Sequence, residues 1–353
     1  MTKSIKILLG LFAAGMFTAA QAEYTFVVPQ KPGGGTSVWA EIVAIEMEKY
    51  LDEDIVIRYI PGARDIAGFN EFHNSLQYDD KTVMISHGGN GVSYLQEDVD
   101  YDYSDYTAIG LMNLNIIAGK RSGDDMQNPR FAAGSGMVPE AFAMTLLNCG
   151  PRDTVEEYVN CFTNTVTWVS GMSGGERRLA FRRGELNGTR ENPAAFKKHV
   201  EPLIESGDAE VWFHHGILQP DGLHTDDANY PGMQLEILYE QHWGEAPGGK
   251  FYDAYRLVKS FRDGLQKAMW VSKDNPNAET LQRALEQVAN SEKSMRIIQE
   301  KVGDYEWLIG DDAEAHFQTL TTFISEDSLE TLVTVNQEAF GLDSVYKPEL
   351  IND

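Results

Sequence analysis

Apolar positions in the first third of the chain alternate between short runs and amphipathic stretches. YTFVVP from Tyr24 predicts a strand, QKPGGGTS a glycine-rich turn and VWAEIVAIEMEKYL a helix. In that helix Trp39, Ile42, Val43, Met47, Tyr50 and Leu51 recur at three-to-four spacing, and Thr36 or Ser37 stands where a cap is needed. DIVIRYI is a second strand, followed by PGARDIAG and an amphipathic segment through Phe69, Phe72 and Leu76. A third strand, TVMIS from Thr82 to Ser86, runs into the loop HGGNG. Strands alternating with helices of this length predict a parallel sheet with right-handed crossovers.

Two further apolar runs, TAIGLM and NIIAG, lead into the polar stretch KRSGDDMQNPR, which reads as a hinge or linker. The order then restarts with RFAAGSGMVPEAFAMTLL, again strand, glycine turn and helix. TVTWV from Thr165 is a strand, GERRLAFRRGE a helix and AEVWFHHG from Ala209 a strand, so a second α/β unit is expected over residues 123–261. From Gln234 to Phe261 the period is indistinct, with WGEAPGGK expected as an exposed turn. AMWVS predicts a strand, and NPNAETLQRALEQVANSEKSMRIIQEKVG one long helix or a broken pair. The tail is helical by period.

The ends and the composition add a location. Lys3 and Lys6 precede an apolar stretch from Ile7 to Phe17, and small residues end in Ala20, Gln21 and Ala22. That layout predicts a signal peptide cleaved after Ala22 and a mature protein in the periplasm. The apolar run is shorter than the roughly 20 residues that span a bilayer. A length of 353 residues favours two domains over one core. The formal charge of −25 grows more negative by two when the leader, with its two lysines and no acid, is removed. So acidic a surface repels nucleic-acid phosphates and anionic lipid, and an anionic ligand has to be held by a local site. Cys149 and Cys161, the only cysteines, flank GPRDTVEEYVN. In an exported protein they are expected as a disulfide closing this loop, with two buried free thiols as the alternative. Zinc would have too few ligands there.

Three glycine turns follow strands and precede helices: PGGGTS at 32–37, GSGMVPE at 134–140 and GMSGGE at 171–176. Free backbone amides and the positive end of a helix dipole favour an oxyanion at such turns. None continues with the Gly-Lys-Ser/Thr of a nucleotide-binding loop, and PGGGTS lacks the G-x-G-x-x-G spacing of dinucleotide sites. GMSGG does fit the G-x-S-x-G of a serine esterase with Ser173 as nucleophile. Its partners would come from Asp221 or Asp226 and His242 or His316, none in a distinctive motif. His214, His215 and His224 match no metal-ligand spacing, so no metal is expected. The cluster Arg177, Arg178, Arg182 and Arg183 is expected mostly on a solvated helix face, with Arg177 placed to reach an anion in the turn.

YTFVVPQKPGGGTSVWAEIVA followed by IVIRYIPGARDIAG resembles the opening of the substrate-binding proteins of tripartite tricarboxylate transporters, the Bug family. The likeness continues through GSGMVPEAFAM, GGERRLAFRRGELN and PLIESGDAEVW into the C-terminal helices. It implies a type II-like periplasmic binding protein: two α/β lobes with parallel or mixed sheets, residues 23–122 with 262–353 and residues 123–261, closing on a cleft. The implied ligand is a small carboxylate, a di- or tricarboxylate or an aromatic acid, with no cofactor, no metal and no catalysis. The implied partners are the membrane components of the transporter, and the chain is expected as a monomer; a ligand-sensing receptor domain is the other role such a fold serves. Carried onto this sequence, the implied grip comes from Gly34, Gly35, Thr36 and Ser37 on one side and Gly134, Ser135, Gly136 and Met137 on the other. Arg64, Ser86, His87, Ser173 and Gly174 complete the implied lining. Ser37 stands where the family has Asp, and Arg64 and Asp65 replace a glycine pair.

Overall fold

The computed structural model describes residues 23–133 and 139–351. The chain lays down β1 (Tyr24–Val28), α1 (Gly35–Met47), β2 (Ile55–Tyr59), α2 (Ile66–Glu71), β3 (Thr82–Ser86), α3 (Gly88–Gln96) and β4 (Tyr106–Asn113). It continues through β5 (Ile117–Arg121), β6 (Arg130–Ala133), α4 (Pro139–Cys149), α5 (Val155–Thr165), β7 (Thr167–Ser170) and α6 (Gly174–Arg182). Next come β8 (Gly188–Glu191), α7 (Pro193–His199), α8 (Glu201–Glu205), β9 (Ala209–His214), the short pair β10 (Ile217–Leu218) and β11 (His224–Thr225), α9 (Leu235–Trp243) and α10 (Gly249–Gly264). β12 (Lys267–Ser272), α11 (Ala278–Ala289), α12 (Glu292–Val302), β13 (Glu306–Ile309), α13 (Asp311–Thr321) and α14 (Glu326–Phe340) close the chain. Among the described residues no helix is long and apolar enough to cross a membrane.

The first lobe is built on the sheet β13-β4-β12-β3-β1-β2. Period-two alternation along β1 divides its core. Phe26 and Val28 join Trp39, Val43 and Met47 of α1 and Leu281 and Leu285 of α11 on one face. Val27 joins Phe69, Phe72, Tyr101 and Trp270 on the other, and that cluster runs on into Phe142, Phe251 and Leu332. Phe69 stacks on Tyr101 with ring centres 3.9 Å apart.

The sheet is mixed, one of the two forms the family resemblance implies, where the alternation of strands and helices alone predicts a parallel one. β1 runs parallel to β2 and β3, but β12 is antiparallel to β3 and β4, and β13 is antiparallel to β4. The reason is topological. β4 points the same way as β3 and leaves the sheet toward the second lobe, so the chain re-enters over the same edge and β12 runs back between them. The second lobe holds β8-β5-β9, antiparallel for the same reason, beside the parallel pair β6 and β7.

The stretch 120–130, expected as a hinge or linker, links the end of β5 to the start of β6 and is fastened to the second lobe. Asn187 donates to Asp124 Oδ2 at 2.9 Å and to the Asn128 carbonyl at 3.3 Å, and the Gly123 amide donates to Glu210 at 3.2 Å. The passage between sheets lies earlier, in the residues joining β4 to β5. There the Leu114 amide donates to the Asp263 carbonyl at 3.3 Å and the Gly216 amide to Asn115 Oδ1 at 2.9 Å. The segment from Gln234 to Phe261 is two helices, and 278–302 is a broken pair. Cys149 and Cys161 form a disulfide that ties the end of α4 to α5, with Cα atoms 6.2 Å apart.

Candidate functional site

In open α/β sheets ligands meet the carboxyl ends of the strands, and here β1, β2, β3 and β4 all end at the edge facing the second lobe. At that edge α1 begins without a side-chain cap. Gly34 sits extended at its start (φ −75°, ψ 162°), after Gly33 in the left-handed region at φ 86°. The first amides of an α-helix have no partner within it, so those of Gly35, Thr36 and Ser37 are left for something outside the helix. The Thr36 and Ser37 side chains are buried, and the Ser37 hydroxyl donates to the Lys31 carbonyl at 2.7 Å. They brace the turn, and the part of it turned outward is backbone.

Beside this turn lies a polar cluster. His87 caps α3: its Nδ1 accepts from the Gly89 amide at 2.9 Å, which leaves the proton on Nε2, 2.8 Å from Asp65 Oδ2. Gln30 donates to the same carboxylate oxygen at 3.0 Å, and Asn90 donates to the Asp65 carbonyl at 2.9 Å. Burial holds the His87 pKa below its usual value against the opposing pull of Asp65, with Lys267 and Arg262 adding to the depression. Burial alone would raise Asp65, but the hydrogen bonds from His87 and Gln30 outweigh it and hold the carboxyl below its ordinary range. Asp65 has φ 73° and Ala63 φ 44°, a strained turn where glycine would sit freely. Arg64 lies in this same turn. Ser86 is fully buried and its hydroxyl accepts from Trp270 Nε1 at 2.9 Å, so its side chain belongs to the core.

On the second lobe, Gly134, Ser135, Gly136 and Met137 lie outside the described residues. Ser173 caps α6: its Oγ accepts from the Glu176 amide at 3.3 Å, while the Ser173 amide donates to the Glu176 carboxylate at 2.8 Å, and Gly174 is the first helical residue. The groups offered as esterase partners are engaged elsewhere. Asp226 is 2.9 Å from His214, Asp221 accepts from the Leu223 amide, His242 packs on Trp243, and His316 is buried with its pKa lowered to about 4 by desolvation. Arg177 is buried rather than open to an anion: it donates to the Arg190 carbonyl at 3.0 Å and lies 3.4 Å from Glu191, which Arg178 also grips at 2.9 and 2.8 Å. Arg182 and Arg183 are exposed. His215 pairs with Asp263 at 3.0 Å, and among the described residues no three metal-ligating side chains gather.

Sequence reasoning missed three cations withdrawn from solvent. Lys267 opens β12, Arg262 ends α10, and Arg190 at the end of β8 lies 3.1 Å from Glu140 at the start of α4. Their only local signal is a cation set directly before an apolar strand in QKAMWVS.

Two α/β lobes joined by crossing strands, with strand ends and helix starts gathered at one edge, make the fold of the periplasmic binding proteins of the Bug and TctC type. No family model matches the chain, and no curated protein matches it in sequence. Among solved structures, the periplasmic binding protein BugD is similar with a TM-score of 0.55 and 16% identity, over 89% of this chain and 98% of that one. MatC from Rhodopseudomonas palustris with bound malate has a TM-score of 0.53 and 16% identity, over 89% and 98%. An R. palustris protein with adipate has a TM-score of 0.53 and 13% identity, over 90% and 97%.

Proposed function

We propose that this chain is an extracytoplasmic solute-binding protein that captures a small carboxylate between its lobes, without catalysis, for a tripartite tricarboxylate-type transporter. The observation that carries the reading is the uncapped start of α1 at the carboxyl edge of the first sheet, where unpartnered amides and the helix dipole suit a carboxylate. The likeness in fold to proteins solved with malate and adipate supports it. The first crossing between lobes falls in the connection from β4 to β5, ahead of the residue 122 boundary implied by the resemblance, and the grip proposed beside α1 draws on Arg64, His87, Ser173 and Gly174, with Gly134, Ser135, Gly136 and Met137 as the resemblance implies. The leader is removed after Ala22, and the mature monomer works in the periplasm without metal or cofactor. Ligand shifts the lobes from open to closed, and the closed form is what the membrane components receive.

A thermal-shift screen of mono-, di-, tri- and aromatic carboxylates tests the reading. A ligand at about 100 times its Kd stabilises the native state by about 2.7 kcal/mol, so a true ligand raises the melting temperature in a dose-dependent way. A full panel of carboxylates at millimolar concentration that leaves the melting curve unmoved refutes it.

A further inference from the structure

A cavity of about 650 Å³ opens in the second lobe, on the side away from the crossing segments. β5 and β9 meet the crossing at Ile117 and His214, which lie opposite one another, and the cavity sits at their other ends, beside Lys120 and Glu210. Leu147 in its wall lies roughly 12 Å along α4 from Pro139, the first residue of that helix. Among the described residues none of the lining comes from the first lobe, so the cavity is separate from the edge where α1 begins.

Two indoles belong to its walls, and both are held in place. Trp212 on β9 is 8% exposed. Trp243, the last residue of α9, is 37% exposed, yet its Nε1 donates to the Leu147 carbonyl at 3.3 Å and its ring lies on Gly150, where an added Cβ would come within 2.7 Å of it. Gly150 follows Cys149, so the disulfide to Cys161 anchors the backbone under that ring. An aromatic side chain that is fixed and still more than a third bare gives up little entropy when something packs on it. Met126 and Met233 add polarisable thioethers to the lining.

The charges of the lining are unequal. Asp125 and Glu210, both exposed, stand against the single cation Lys120, whose ammonium is already shared between Glu210 at 3.3 Å and the Asp124 carbonyl at 2.9 Å. The Gly123 amide and Lys120 hold the Glu210 carboxyl below its ordinary range, so it stays ionised at neutral pH. Indole faces attract a positive group more strongly than any other aromatic ring, and carboxylates beside them complete its neutralisation. The volume falls in the range of roughly 300–1,000 Å³ of small-molecule sites. The field of a chain with a formal charge of −25 draws in the same sign.

We infer that this cavity is a second ligand site that takes a small aromatic ammonium, its ring against Trp212 and Trp243 and its charge beside Asp125 and Glu210. The inference goes beyond carboxylate capture and stands independently of it.

The test compares 2-phenylethylamine with 2-phenylethanol, which share a ring and differ in charge. The amine should bind one-to-one by calorimetry and shift the tryptophan emission, at least about tenfold more tightly than the alcohol. Trp212→Leu should weaken the amine about tenfold or more, and Asp125→Asn with Glu210→Gln should bring the preference for the amine down to about twofold or less. Trp212 also packs on Phe213, with ring centres 5.1 Å apart, so Trp243→Ala at the more exposed position repeats the first comparison should Trp212→Leu fold poorly. Equal affinity for amine and alcohol, no binding of the amine at millimolar concentration, or an amine affinity unchanged in the folded variants overturns the inference. Concentration-dependent dimerisation that Trp243→Ala abolishes would assign the cavity to a second copy of the chain and overturn it as well. Failure of every carboxylate to bind bears only on the earlier reading, since neither probe carries a carboxylate.

Discussion

Replacing Lys267 with methionine should make the unliganded protein more stable at neutral pH and leave it no more stable in alkali. The native pKa of about 7 lies far below the 10.5 of a free lysine. A cation whose native pKa is depressed costs stability fully below that pKa, and the cost fades as pH rises to the unfolded value, because between the two the unfolded chain holds the extra proton. The gap from 10.5 to about 7, at about 1.4 kcal/mol per pH unit, amounts to about 5 kcal/mol. Methionine has similar length, carries no charge and suits a site lined by Met112 and Tyr305. Urea unfolding of both proteins in steps from roughly pH 6 to pH 10 reads chiefly this group, since His87, whose titration Lys267 also depresses, titrates below 6.5. At the acid end the variant's midpoint should lie higher by roughly 1–2 M, with an m-value near 3 kcal/mol/M, and the curves should converge toward pH 10. A constant difference across that range, or a variant less stable at pH 6, would show that the ammonium is already compensated in the unliganded protein.

Gly35→Pro should keep α1 and delete one amide at its start, because proline suits a first helical position and an added Cβ there meets nothing within 4 Å. Ligand affinity should fall roughly tenfold or more in calorimetry, while the melting temperature of the free protein stays put. Gly88→Ala should destabilise by roughly 3 kcal/mol or more, read from thermal melts, since its Cβ would stand 1.8 Å from the Arg262 carbonyl oxygen where α3 meets α10. Replacing both Cys149 and Cys161 with serine opens a loop of sequence separation 12 and should cost about 3 kcal/mol by denaturant titration. A loss well under 1 kcal/mol would mean that the packing of α4 on α5 holds this corner without the bond.

The parts of the fold legible from sequence are those that local period encodes. β1, β2 and β3 with their helices follow from apolar spacing, as do the broken pair α11 and α12. The direction of β12 has no local signature, for its partners Ser86 and Leu111 lie far back in the chain and its orientation is set by where the chain re-enters. The stretch 120–130 reads as a hinge or linker because it is polar and rich in turn residues, and it does link β5 to β6, yet Asn187 and Glu210, remote in sequence, fasten it down. The glycine turn before α1 was visible because glycine is itself the signal. Lys267 and Arg262 were not, since a lysine and an arginine around a chain reversal ordinarily face water, and only tertiary packing reveals that these two do not. Asp65 was half visible: it departs from the glycine of the resembling family, and in the structure it occupies the glycine-like backbone region while offering its carboxylate to His87.

α14 spans material from both halves of the molecule. Its Asn336 donates to Gln96 at the end of α3, while Phe340 at its far end packs on Phe162 and Trp168 of the second lobe, with ring centres 5.2 and 5.5 Å away. The helix therefore works as a splint laid along the joint. Rotation of one sheet against the other must either slide this aromatic foot across its seat or carry the whole helix with one partner. Swing amplitude is then set less by slack in the crossing strands than by how far three rings packed at steep angles can slip before water enters between them.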